Sequence, residues 1–175
     1  MMMDPKNIKK GDNLVYHNRV LKVVKIQRNK KLDDMCVLAK PYFVTRTGLM
    51  TSFSIPFASM AEGNIRKLMS KTSVEKLLRT LQHETVHDGE KINVSDVVFA
   101  ELTTEDMITM LQLFWDEKAQ DSSKFATSKK LLMNRLLRSL SHIVGAAYSI
   151  SLEKAEDRIN KRLEKRIVKI IPKEE

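Results

Sequence analysis

The stretch Thr51-Ser-Phe-Ser-Ile-Pro56, running into Phe57-Ala-Ser-Met60 and then Val74-Glu-Lys-Leu-Leu78, decides how this chain is read. Up to Pro56 the side chains alternate with period two, as in a strand with one buried face, and the proline stops the ladder. From Val74 the apolar residues Val74, Leu77, Leu78 and Leu81 recur at i, i+3, i+4 and i+7, the stripe of an amphipathic helix. The change of period falls near residue 58.

Working back from Thr51, short strands are expected over Leu14–Tyr16, Val20–Ile26 and Met35–Ala39, the last continued by 42–45 beyond Pro41. His17-Asn18-Arg19 is a tight connection, Arg28-Asn29-Lys30-Lys31 an exposed hairpin tip, and Gly48 a turn. Four or five strands in so few residues should curl into a small barrel. Working forward, Thr72 and Glu75 have capping-box spacing, and so do Thr103 and Asp106. Val94, Val97, Val98 and Leu102 keep a helical period. Met107, Met110, Leu111 and Phe114 share one face of a further helix, and Asp121-Ser122-Ser123 is a linker. The clearest helix covers 128–148, with Leu132, Leu136, Leu140, Ile143 and Ala147 inward and Arg135, Arg138 and His142 on the opposite side. The last helix starts near Ser151 and buries Leu152, Ala155, Ile159 and Leu163, leaving Lys154, Arg158, Lys161, Arg162, Lys165 and Arg166 outward. The expected class is α+β: a small curled β-barrel over 1–60 and an all-helical domain of about five helices over 61–175. A module this short is marginal alone.

Charge is unevenly distributed. Residues 1–71 carry 14 Lys/Arg against 5 Asp/Glu, residues 72–119 carry 4 against 10, and residues 120–175 carry 13 against 7. A polyanion should therefore meet the ends of the chain and avoid its middle. Lys129, Lys130, Arg135, Arg138, Lys154, Arg158 and Arg162 are the candidate phosphate contacts, of a kind that gives salt-dependent affinity with little sequence choice. Trp115 and most of the 10 methionines fall at apolar positions and read as packing residues.

Cys36 stands alone, so no internal disulfide is expected, which suits a reducing cytoplasm. No apolar signal core and no 18-residue apolar run is present, so no membrane span is expected. His83-Glu84-Thr85-Val86-His87 matches HExxH, where two histidines one helical turn apart hold zinc and the glutamate acts as base. Glu101 and Glu105 are third ligands by sequence distance alone, and Asp88-Gly89 ends the helix directly after His87. The expectation is a non-enzyme with no metal and no cofactor. A zinc hydrolase using His83, Glu84 and His87 is the enzyme alternative.

Laid end to end, three stretches resemble the CarD-like family of bacterial transcription regulators: Ile8-Lys-Lys-Gly-Asp-Asn-Leu-Val-Tyr16; Ser54-Ile-Pro-Phe-Ala-Ser-Met-Ala-Glu-Gly-Asn-Ile-Arg-Lys-Leu-Met-Ser-Lys71 running into Val74–Leu78; and the helical half with its basic final helices. The resemblance spans residues 8 to about 165. It implies a Tudor-like first module that binds the RNA polymerase β subunit, and a helical module on promoter DNA that modulates open-complex stability. The polymerase patch would comprise Arg28, Arg46, Phe53, Ser54 and Ile55, in and beside an edge strand. A cytoplasmic protein is expected from the lone cysteine, and a monomer because nothing suggests a coiled coil. The chain departs from the family pattern in three places. His17-Asn18-Arg19 replaces a glycine-rich turn, Ser54 stands where an arginine is common, and Lys91 falls at the family's wedge tryptophan. DNA contact is then expected from the last two helices, and a polymerase-binding adaptor without DNA contact is the alternative.

Overall fold

The structure is a computed structural model that describes residues 7–29, 33–44, 52–60, 65–83 and 93–166. The chain divides into two compact units, 1–69 and 70–175. The first holds β1 (Asn13–Tyr16), β2 (Arg19–Asn29), β3 (Asp34–Pro41), β4 (Phe53–Pro56), the short helix α1 (Phe57–Met60) and β5 (Ile65–Lys67). The second holds α2 (Lys71–Thr80), α3 (Thr104–Gln120), α4 (Thr127–Tyr148) and α5 (Leu152–Glu164). The units meet nine residues beyond the expected 60/61 boundary, because Ile65, Arg66 and Lys67 pair with Tyr16, Val15 and Leu14 and so belong to the sheet.

The sheet is antiparallel with strand order β4-β3-β2-β1-β5. It is open: among the described residues β4 and β5 do not pair, so the expected closed barrel is not formed by hydrogen bonding. His17 and Asn18 have φ of 45° and 60°, and this two-residue left-handed turn matches the twist of its flanking strands. Asn18 is buried, and its Oδ1 accepts a hydrogen bond from Arg66 Nη2, which ties the turn to β5. A bulge between Val23 and Lys25 shifts the inward phase of β2 from odd to even positions. Leu21 and Val23 before it and Ile26 after it therefore all meet one core, with Leu14, Val37, Ala39, Ile55, Met60 and Ile65. Asp34 accepts from the backbone of Ala58 at 3.1 Å and so fixes the start of α1.

In the second unit, α2 is capped by Ser70, whose Oγ accepts from Ser73 N. The expected Thr72–Glu75 box does not form; the helix starts two residues earlier and Glu75 faces elsewhere. Thr103 and Asp106 do form a reciprocal capping box at α3. The stretch 94–101 is two 3₁₀ turns instead of the α-helix its spacing predicts. Val94, Val97 and Val98 are β-branched and lose rotamer freedom in an α-helix, while Asn93 caps the first turn through Ser95 N. α4 packs against α2, α3 and α5, with Leu136, Leu140 and Ile143 fully buried among Met107, Leu111, Phe114 and Ile159. Its last residues form a Schellman turn: Ser149 sits in the left-handed region at φ 54°, and Ile150 N donates to Gly145 O. Among the described residues no helix is long and apolar enough to cross a membrane.

Candidate functional site

Two surfaces were expected to carry function. For the first, β4 pairs only with β3, through Phe53↔Ala39, Ser54↔Leu38 and Ile55↔Val37. No strand lies on its other side among the described residues, so it can accept an added strand. Ser54 is exposed and Phe53 half-buried, but Ile55 is 3% exposed and belongs to the core. Its side chain cannot meet a partner, which corrects its place in the expected patch. Arg28 lies exposed at the far end of β2 and pairs with Asp33 at 2.7 Å. Arg46 lies outside the described residues.

The expected phosphate contacts separate into two groups. Lys130, Arg138 and Lys154 are exposed; Arg135 is exposed too, with its guanidinium 3.9 Å from the Phe99 ring centre. The others are turned to carboxylates of this chain. Lys129 is 17% exposed and gives its ammonium to both oxygens of Glu117 at 2.7 Å. Arg158 and Arg162 reach the two oxygens of Glu75 at 2.9 and 2.8 Å. The outward face read for α5 is therefore corrected at 158, 162 and 166. Arg166 is 6% exposed, forms a two-pronged pair with Asp116 at 2.6 and 2.5 Å, and donates to His83 O. These arginines precede or follow the buried stripe Ala155, Ile159 and Leu163 by one to three positions, where a long side chain can lie along the bundle with its head at a partner.

The densest charge cluster centres on Glu75, a residue the sequence suggested only as a cap. Its carboxylate accepts from Tyr148 Oη at 2.5 Å, from Arg158 and from Arg162, with Arg79 Nε at 3.6 Å. The hydrogen bond from Tyr148, then the two arginines, hold its pKa below the ordinary 4.5 despite partial burial. Burial, then the Glu75 carboxylate, pushes the Tyr148 phenol above its ordinary 10, and the Glu75 hydrogen bond raises Arg158. Lys71 Nζ and Arg158 Cζ lie 5.0 and 4.3 Å from the Tyr148 ring centre, within cation–π range. A groove of about 420 Å³ opens here, lined by Lys71, Lys76, Arg79, Tyr148 and Arg158 beside Glu75. The signal for this site lay in the spacing of Arg158 and Arg162, one turn apart on the same edge of α5; nothing in the sequence linked them to Glu75.

Of the HExxH residues, His83 follows α2, and its carbonyl accepts from Arg166. Glu84 and His87 lie outside the described residues. Glu101 and Glu105 are exposed, and among the described residues no group of three His, Cys, Asp or Glu could hold a metal ion. Cys36 is buried. The chain matches no protein-family model and no curated protein.

Proposed function

We propose that this chain is a transcription regulator of the CarD-like kind, working by binding and not by chemistry. Its first unit docks on the RNA polymerase β subunit through β4, and its helical unit contacts promoter DNA. The five strands take the part of the family's Tudor-like module. The observation that carries the reading is the outer edge of β4, unpaired among the described residues, with Ser54 exposed on it, in a basic strand unit followed by a helical unit. Backbone pairing along that edge supplies affinity, and the exposed Ser54 and Arg28 supply selectivity. A protein that binds the opened promoter complex better than the closed one shifts the equilibrium by that differential affinity alone. The protein works as a monomer in the cytoplasm without cofactor or metal.

Recovery of polymerase subunits on the immobilised protein tests this. Wild type retains the β subunit, and Ser54→Glu together with Arg28→Glu loses most of it. Equal recovery by both proteins would remove the strand patch from the account. Ile55 is unsuited to this test because a change there strikes the core.

A polymerase-binding adaptor that never touches DNA is the second reading. It is favoured by the engagement of Lys129, Arg158 and Arg162 with Glu117 and Glu75, which reduces the cations offered to phosphate. Lys130→Ala, Arg138→Ala and Lys154→Ala combined should flatten the salt dependence of DNA binding by up to about 0.9 per lost contact; binding too weak to measure in wild type at low salt selects the adaptor.

A further inference from the structure

We infer that the groove between α2 and α5 is a docking surface for the phosphodiester backbone of duplex DNA, with Lys71, Lys76 and Arg79 as its phosphate contacts. The inference rests on the DNA-binding reading above and gives it a different address, on a helix whose segment of the chain is acidic overall. Four cations line the groove, Lys71, Lys76, Arg79 and Arg158, against the single carboxylate Glu75. That carboxylate already accepts hydrogen bonds from Tyr148, Arg158 and Arg162. Lys71, Lys76 and Arg79 are exposed; Arg79 Nε also lies 3.6 Å from Glu75, so among the described residues lining the groove four cations face one carboxylate.

The geometry favours a polyanion over a single phosphate. At 100° per residue the three cations fall within about 140° of the α2 circumference, and from 71 to 79 they extend along roughly 12 Å of its axis. Duplex DNA presents one charge per about 1.7 Å of its own axis, so an array of phosphates spans that distance. Tyr148 is anchored by its hydroxyl on Glu75, and its ring packs against Lys71 and Arg158. The pairs to Glu75 hold Arg158 and Tyr148 in place, while Lys71, Lys76 and Arg79 stay exposed to solvent.

The test is fluorescence anisotropy of a labelled duplex at several salt concentrations with the full chain. Three proteins are compared: wild type; the combination Lys71→Ala, Lys76→Ala and Arg79→Ala; and a charge-matched control, Arg19→Ala, Lys22→Ala and Lys25→Ala, drawn from exposed positions of β2. Unchanged circular dichroism melts establish that both variants fold. The groove variant should lose at least tenfold in affinity at low salt, and its slope of log affinity against log salt should flatten by roughly 2–3. The control should stay within about threefold of wild type. A groove variant no weaker than the control overturns the groove and leaves the DNA reading standing. Wild-type protein that binds no duplex at low salt overturns both. Inorganic phosphate that competes far beyond its contribution to ionic strength shows a single-phosphate site and overturns the backbone assignment.

Discussion

At the scale of single residues, Glu75 decides most. It gathers a tyrosine and two arginines from α4 and α5 onto one carboxylate of α2. Its side chain is 22% exposed, so solvent screens part of each interaction. Glu75→Gln should cost about 1–2 kcal/mol at pH 7 in urea unfolding. The folded pKa lies below 4.5. The carboxylate's contribution is therefore complete above that value and disappears as pH falls through the depressed folded value. The gap between wild type and Glu75→Gln should narrow below pH 4.5; a gap constant down to pH 3 would show that the charge of Glu75 is not what stabilises. Arg166 and Asp116 make a more buried pair. Asp116→Ala leaves the arginine uncompensated inside the bundle and should cost about 3–5 kcal/mol, whereas Asp116→Ala with Arg166→Met should recover part of that loss.

At the scale of elements, what was legible in the sequence depended on local rules. The hairpin at His17-Asn18, the Thr103 capping box, and α4 and α5 follow from period and capping chemistry, which neighbouring residues decide among themselves. Thr103→Ala should accordingly lower stability by about 1 kcal/mol. Ser149→Gly should raise it by about 0.5–1 kcal/mol, because a left-handed residue without a Cβ relieves strain; thermal melts of both variants check the signs. Reading failed where tertiary structure chose. The period of 94–102 looked helical, but consecutive β-branched residues and the Asn93 cap favoured 3₁₀ turns. The resemblance put Phe53, Ser54 and Ile55 in one patch, although alternation in a strand at the edge of a one-sided sheet must turn Ile55 inward when Ser54 faces out. The bulge at Val23–Lys25, which lets β2 serve one core along its whole length, left no mark in composition.

At the scale of the whole molecule, the division of charge along the chain acquires a second meaning. The acidic middle and basic end looked like two separate surfaces. Within the second unit they meet: Glu75 takes Arg158 and Arg162, Asp116 takes Arg166, and Glu117 takes Lys129. Acids of α2 and α3 are thus paired with cations of α4 and α5 and with Arg166 past the end of α5. These pairs use four cations against three acids, so the cations left exposed on this unit include Lys71, Lys76 and Arg79 of α2. The first unit is basic throughout and has its own core around Leu14, Val37 and Ile55. The chain forms two compact units, and if the proposed function holds, cutting the chain at 69/70 should separate polymerase recovery from DNA binding. The fragment 70–175 should unfold cooperatively, keep its helical circular dichroism and retain salt-dependent DNA binding, while recovering no polymerase. The fragment 1–69, small enough to be marginal alone, should still recover the β subunit at low temperature. If DNA affinity fell with the cut while both fragments remained folded, the two surfaces would have to act jointly, and the assignment of one partner to each unit would be withdrawn.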